Sequence, residues 1–220
     1  MVSDEGFEFE VVTFQDRFFL DTARTLAELA AGLQHSNDGK QRDRQMACTV
    51  GAIMSAISSL ECTINGIFEH AADSVSGGHR PTNLQKLMAS LWTNDFDRLP
   101  MLNKFRVALA LAKKQDFDVS KEPFQSVQVL VRLRNSIAHP QEILASKEIQ
   151  KKLEQSLRGR FKIVPPEPHR REFFPARCLT PECADWAFIS TARFLDAFQK
   201  RMPPRSFPFG RWHEIPKEFL

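Results

Sequence analysis

The side chains best suited to chemistry are gathered in the run Arg134-Asn135-Ser136-Ile137-Ala138-His139. His139 precedes Pro140, whose ring disfavours helical geometry at the residue before it, so a helix reaching this point ends with His139 in or just past its last turn. The negative end of the helix dipole favours a cation there. Asn135 lies four residues earlier, and at helical spacing its amide shares a face with the imidazole and can orient it. Histidine is the side chain that exchanges protons most readily around neutral pH, which suits a general acid or base. Arg134 adds a planar cation for an anionic group. A histidine in this position is, taken alone, a helix cap; its neighbours turn the reading toward catalysis.

These residues need a helix to present them. Pro123 suits the first turn of one that runs to His139. At about 100° per residue, Val127, Leu130, Val131, Leu133, Ile137 and Ala138 form one wide apolar face with Arg134 in its middle. Asp43 to about Ala72 contains no proline and repeats Val50, Ile53, Ile57, Leu60, Ile64, Ile67, Phe68 and Ala71 at helical intervals, the longest helix and the expected spine of the core. Glu61 falls on its apolar side, with Asn65 at the edge. Two opposite charges facing a core are tolerated when paired, so Glu61 and Arg134 are expected to meet, directly or through Asn65. The plain reading of that pair is structural, a device that sets helix register.

The rest of the chain is helical by the same criterion. Phe14–Gln34, Leu84–Trp92, Pro100–Lys113 and Ser146–Leu157 carry the helical period. Val164 to Pro168 is an extended linker. Thr180-Pro181-Glu182 opens a last long helix, with Thr180 as N-cap, that buries Ala187, Phe194, Leu195 and Phe198 and stops near Met202-Pro203-Pro204. No strand alternation or internal repeat occurs. The class is all-α, with one domain over residues 1–202 and an irregular C-terminal tail over 203–220, packed on it or extended.

The 220 residues, 42% of them hydrophobic, suffice for one sizeable core. Thirty basic against 27 acidic side chains leave too small an excess to declare a nucleic-acid binder without local clustering. Cys48, Cys62, Cys178 and Cys183 form no C-x-x-C pair and no disulfide framework. Cys178 and Cys183 lack further ligands at zinc spacing, and no metal or other cofactor is expected. Met1–Glu10 is acidic and shows neither the basic start nor the apolar run of a signal peptide, and no uncharged apolar stretch approaches 18 residues. A soluble, cytoplasmic protein with no membrane partner is expected.

An arginine followed by a polar residue, three more and a histidine, at the end of an apolar helix, resembles the Arg-to-His motif of HEPN domains. Leu60-Glu61-Cys62-Thr63-Ile64-Asn65 is similar to the acidic-plus-Asn helix facing that motif in many of them, and Ala184-Asp185-Trp186-Ala187 through Phe198 to their closing helix. The resemblance covers about Phe14 to Met202, and only the Arg-to-His motif is specific. It implies an up-and-down helical bundle with extra peripheral helices, acting as a two-fold homodimer in which both motif helices line one cleft. It further implies a metal-independent endoribonuclease, with Arg134, Asn135 and His139 catalytic and Glu61 and Asn65 supporting. Family analogy adds a toxin–antitoxin or antiviral defence role, with an antitoxin protein as partner. The alternative within the family is a non-catalytic module binding RNA, nucleotide or a protein.

A second surface points to RNA. Lys147, Lys151, Lys152, Arg158, Arg160, Lys162, Arg170, Arg171 and Arg177 are interleaved with Phe161, Phe173 and Phe174, a mix suited to phosphate contact and base stacking. Of these, Lys151, Lys152, Arg158, Arg160, Arg170 and Arg171 are the RNA-binding candidates. Glu148, Glu154, Glu167 and Glu172 dilute the field, as in an ordinary solvated segment. The nineteen phenylalanines, with no tyrosine, indicate apolar packing. No nucleophile elbow or Walker-type loop is present.

Overall fold

The computed structural model describes residues 5–33, 39–77, 80–92, 96–165 and 172–207. Among them there is no strand; eight α-helices and two short 3-10 turns account for all regular structure. In chain order the helices are α1 (Glu5–Gly32), α2 (Gly39–Ser76), α3 (Asn83–Trp92), α4 (Met101–Leu111), α5 (Phe124–Ala138), α6 (Pro140–Ala145), α7 (Lys147–Leu157) and α8 (Pro181–Arg201). The chain is all-α, as its periodicity requires.

Local chemistry sets several of these boundaries. Thr82 and Gln85 form a reciprocal cap at the start of α3: Gln85 N–H donates to Thr82 Oγ1 at 3.2 Å, and Thr82 N–H to Gln85 Oε1 at 2.8 Å. Ser146 caps α7 by accepting from Ile149 N–H. Thr180 is the N-cap expected for α8, its hydroxyl accepting from Cys183 N–H at 3.3 Å. The α2 helix is the one described helix long and apolar enough to cross a membrane, and half of that stretch is buried inside the protein.

The chain divides into two compact units. One comprises Met1–Phe18, Ser58–Phe124 and Ala192–Leu220. Its core is aromatic. Phe105 meets Phe194 and Phe198 edge-on, with ring centroids 4.9 and 4.7 Å apart, and Phe117 stacks on Phe194 at 4.8 Å. Phe207, past the 3-10 turn Pro204–Ser206, reaches Phe198 edge-on and is buried. The start of the expected C-terminal tail therefore packs on this unit; residues 208–220 lie outside the described residues. Phe68, at the centre of the C-terminal half of α2, lies against Phe96 and Trp92.

The other unit comprises Phe19–Ile57 and Gln125–Thr191 and is built differently. Ala27 of α1, Ala52 of α2 and Ala184 of α8 form a buried cluster capped by Leu26. Gly51 belongs to the same approach: a Cβ there would lie 2.9 Å from Leu26 Cδ1. Small side chains let the helices come close, so packing here depends on missing methyl groups as much as on present ones. Arg177, only 8% exposed, ties the linker into this unit through Val164 O at 2.9 Å and Glu154 Oε1 at 3.3 Å.

Candidate functional site

The fully buried face of α5 belongs to its first two and a half turns: Phe124, Ser126, Val127, Val129, Leu130 and Leu133. Burial then fades. Arg134, Ser136 and Ile137 are half-buried, and Asn135, Ala138 and His139 are exposed. This corrects the helical-wheel expectation in one respect: Arg134 points inward but stands where α5 leaves the core. Glu61 on α2 is likewise half-buried. Neither charge is sealed in the core, because a wheel gives a side chain's direction and not the depth of the protein above it.

The end of α5 is sharp. His139 N–H donates to Asn135 O at 2.9 Å, closing the last turn, and then the backbone at His139 leaves helical geometry with φ −125° and ψ 63°. Pro140 opens α6 at once, a position where its ring and missing N–H are well tolerated. His139 thus stands as the single residue between two helices, at the C-terminus of α5 and the N-cap of α6. The field of α5 therefore does not act on it alone. Among the described residues no hydrogen bond joins the side chains of Asn135 and His139; their link is through the backbone. The imidazole and the amide both face solvent, and the half-buried Arg134 directly precedes Asn135.

Asn65 has a partner that spacing did not suggest. Its Oδ1 accepts from Lys104 Nζ of α4 at 2.9 Å, and the same ammonium donates to Asp97 O at 2.7 Å and lies 5.7 Å from the centre of the Trp92 ring. Lys104 is 4% exposed. Burial pushes its ammonium below the ordinary lysine range, against the pull of the Asp97, Glu61 and Glu69 carboxylates. Glu69 shifts upward, chiefly by burial and then by Asp73, with Lys104 opposing. Within this unit, Asn65 of the acidic-plus-Asn stretch of α2 holds the Lys104 ammonium. The two are 39 residues apart in the chain.

The basic segment sorts into distinct roles. Arg160 is structural: its Nε donates to Ser156 O at 2.9 Å and its Nη1 to Ser126 Oγ at 2.7 Å, joining the end of α7 to the start of α5. Lys152 is exposed and paired with Glu148 at 2.7 Å. Lys147, Lys151 and Arg158 are exposed, and among the described residues no ion pair or hydrogen bond holds their side chains. Arg170 and Arg171 lie outside the described residues. Phe173 and Phe174 are buried, so these rings are core and not stacking platforms.

Cys178 and Cys183 are fully buried thiols. Burial pushes Cys178 up from 9.0 to about 12, and Cys183 rises well above its ordinary value, by burial first and then by Cys178 and Glu182. Both therefore stay protonated at neutral pH and pack as small apolar groups.

Compared with known proteins, the chain matches no family model, no curated protein and no solved structure.

Proposed function

We propose that this chain is a HEPN-type, metal-independent endoribonuclease that acts as a homodimer on RNA. The observation that carries the reading is the end of α5, where an exposed asparagine directly follows a half-buried arginine and an exposed histidine stands five residues after it. Polar groups in a core are satisfied by the protein, whereas the His139 and Asn135 side chains face solvent, where a ligand can meet them.

The chemistry follows from the residue types. A base removes the proton of a ribose 2′-hydroxyl, whose oxygen attacks the adjacent phosphorus. The bond from phosphorus to the 5′-oxygen breaks, and an acid protonates that oxygen. The products are a 2′,3′-cyclic phosphate and a 5′-hydroxyl. In a two-fold dimer the His139 of each protomer supplies one of the two proton transfers. Arg134 binds the phosphate and stabilises the charge that develops on it. The Asn135 amide, exposed beside Arg134, is available to orient the imidazole or the phosphate once RNA is bound. A toxin or antiviral defence effector, held by an antitoxin protein, is the biological setting the family resemblance supplies.

One observation favours the alternative, a non-catalytic HEPN module binding RNA, nucleotide or a protein. Asn65 is spent on Lys104, so that part of the motif-like stretch of α2 serves the fold. The readings separate on substrate chemistry. In EDTA, the enzyme cleaves single-stranded RNA to 2′,3′-cyclic ends, and a single 2′-deoxy substitution abolishes cleavage at that position. RNA bound but left intact at high protein concentration supports the binding module.

A further inference from the structure

The α7 helix carries an uncancelled row of positive charge. Lys147 and Lys151 of α7 and its C-cap Arg158 stand at i, i+4 and i+11, which places them along one side, one turn and then two turns apart, about 6 Å and about 10 Å. All three are exposed. The two acids of α7 that would cancel them are engaged elsewhere. Glu148 is held by Lys152 at 2.7 Å, and Glu154 is turned to Arg177 at 3.3 Å. Glu154 matters most, because it lies three residues after Lys151 and four before Arg158, within the row itself. Arg177 is almost fully buried and also fixed to Val164 O, so its hold on Glu154 is built into the fold.

The row begins close to the candidate site. His139 is the N-cap of α6, and Ser146 is both the C-cap of α6 and the N-cap of α7. About 10 Å of helix separates His139 from the first residue of the row, and α6 and α7 pack against each other.

We propose that Lys147, Lys151 and Arg158 form a track for the phosphates of a single strand of RNA whose scissile bond lies at His139. This rests on the ribonuclease reading above and deepens it: the substrate is a single strand extending several nucleotides beyond the scissile bond, and a dinucleotide is cut poorly. Charge complementarity selects the polyanion. One straight row on one helix face follows one backbone, whereas a duplex offers two strands across a groove.

The test is binding of an uncleavable 12-nucleotide 2′-O-methyl single strand across a salt series. It compares wild type, His139→Ala, the triple variant Lys147→Ala/Lys151→Ala/Arg158→Ala, and a charge-matched control with Lys86, Lys114 and Lys121 changed to Ala. Circular dichroism confirms that each is folded. Single-strand binding loses affinity with a log–log salt slope of about −0.7 per phosphate contacted. The track therefore predicts that the triple variant loses about 2 units of slope and binds at least about tenfold more weakly at low salt. The charge-matched control should keep the wild-type slope, while His139→Ala, at the scissile bond itself, should lose no more than one contact's worth, about 0.7 units. If wild type binds RNA and the triple variant matches it, the track is wrong while the ribonuclease reading stands. If a duplex of equal length binds as tightly and loses as much in the triple variant, the single-strand assignment is wrong. If wild type binds no RNA at all, the ribonuclease reading falls as well.

Discussion

Two polar centres of this protein are built on opposite terms. Around Lys104 the ammonium is buried, donates to an amide oxygen and a backbone carbonyl, and faces an indole ring. At the end of α5, His139 and Asn135 face solvent, and their only mutual hydrogen bond is one of backbone. The first arrangement uses polarity to hold helices in place, and its chemistry is already consumed. The second leaves its side chains to whatever arrives. Both centres read alike in the sequence, as charged or amide residues on amphipathic helices; burial is what separates them.

The sharpest way to break this contrast is to remove Lys104. Lys104→Ala leaves the Asn65 amide oxygen and Asp97 O without their buried donor, at about 1–3 kcal/mol each, and should give the largest loss in denaturant unfolding. A loss below about 1 kcal/mol would mean the buried centre is not structural. Asn65→Ala removes one acceptor from an ammonium that keeps its second, and the expected cost is smaller, about 1–3 kcal/mol by the same measurement.

The buried thiols extend the contrast to pH. Cys178 has a folded value of about 12 against 9.0 unfolded, so its contribution to stability is fully present below pH 9 and is lost as pH rises toward 12. At pH 10 this amounts to roughly 1 kcal/mol relative to pH 8. Cys178→Ala should lessen the alkaline fall in stability, and an unchanged pH profile would show that the thiol ionises in the folded state. Smallest of all, Asn135→Ala at the exposed centre should move stability by no more than about 0.5 kcal/mol in thermal unfolding.

Much of the fold was legible because helical periodicity is local. The α3, α5, α7 and α8 helices begin and end within a residue or two of the ranges their apolar spacing, caps and prolines predict, and Thr180 caps α8 as expected. The α2 helix runs about a turn longer at each end than its apolar pattern, since polar flanking turns can remain helical without contributing to the core. The short α6 helix went unread, although Pro140 at its first position is a signal for it as well as for the end of α5. The 3-10 turn Phe96–Arg98 carries too few residues for a period to show.

The positions of the candidate residues along α5 were legible, and their depth was not. His139, Asn135 and Arg134 stand at the end of α5 as their spacing implies. That Arg134 and Glu61 are half-buried, that Arg160 is drawn to Ser126, and that Lys104 serves Asn65 all depend on contacts between residues far apart in the chain. Lys104 lies among apolar neighbours on α4, where a lysine ordinarily turns its ammonium to solvent. Only the approach of Asn65 and Asp97 in space makes its burial tolerable.

The most direct test of the central claim compares wild type with His139→Ala, side by side on single-stranded RNA in EDTA, with unfolding curves recorded for both. The exposed position of His139 predicts unfolding midpoints that agree closely, while cleavage to 2′,3′-cyclic ends falls by about 10²–10⁴ in the variant. Full cleavage activity in a well-folded His139→Ala protein would contradict the assignment of the α5 end as the catalytic site.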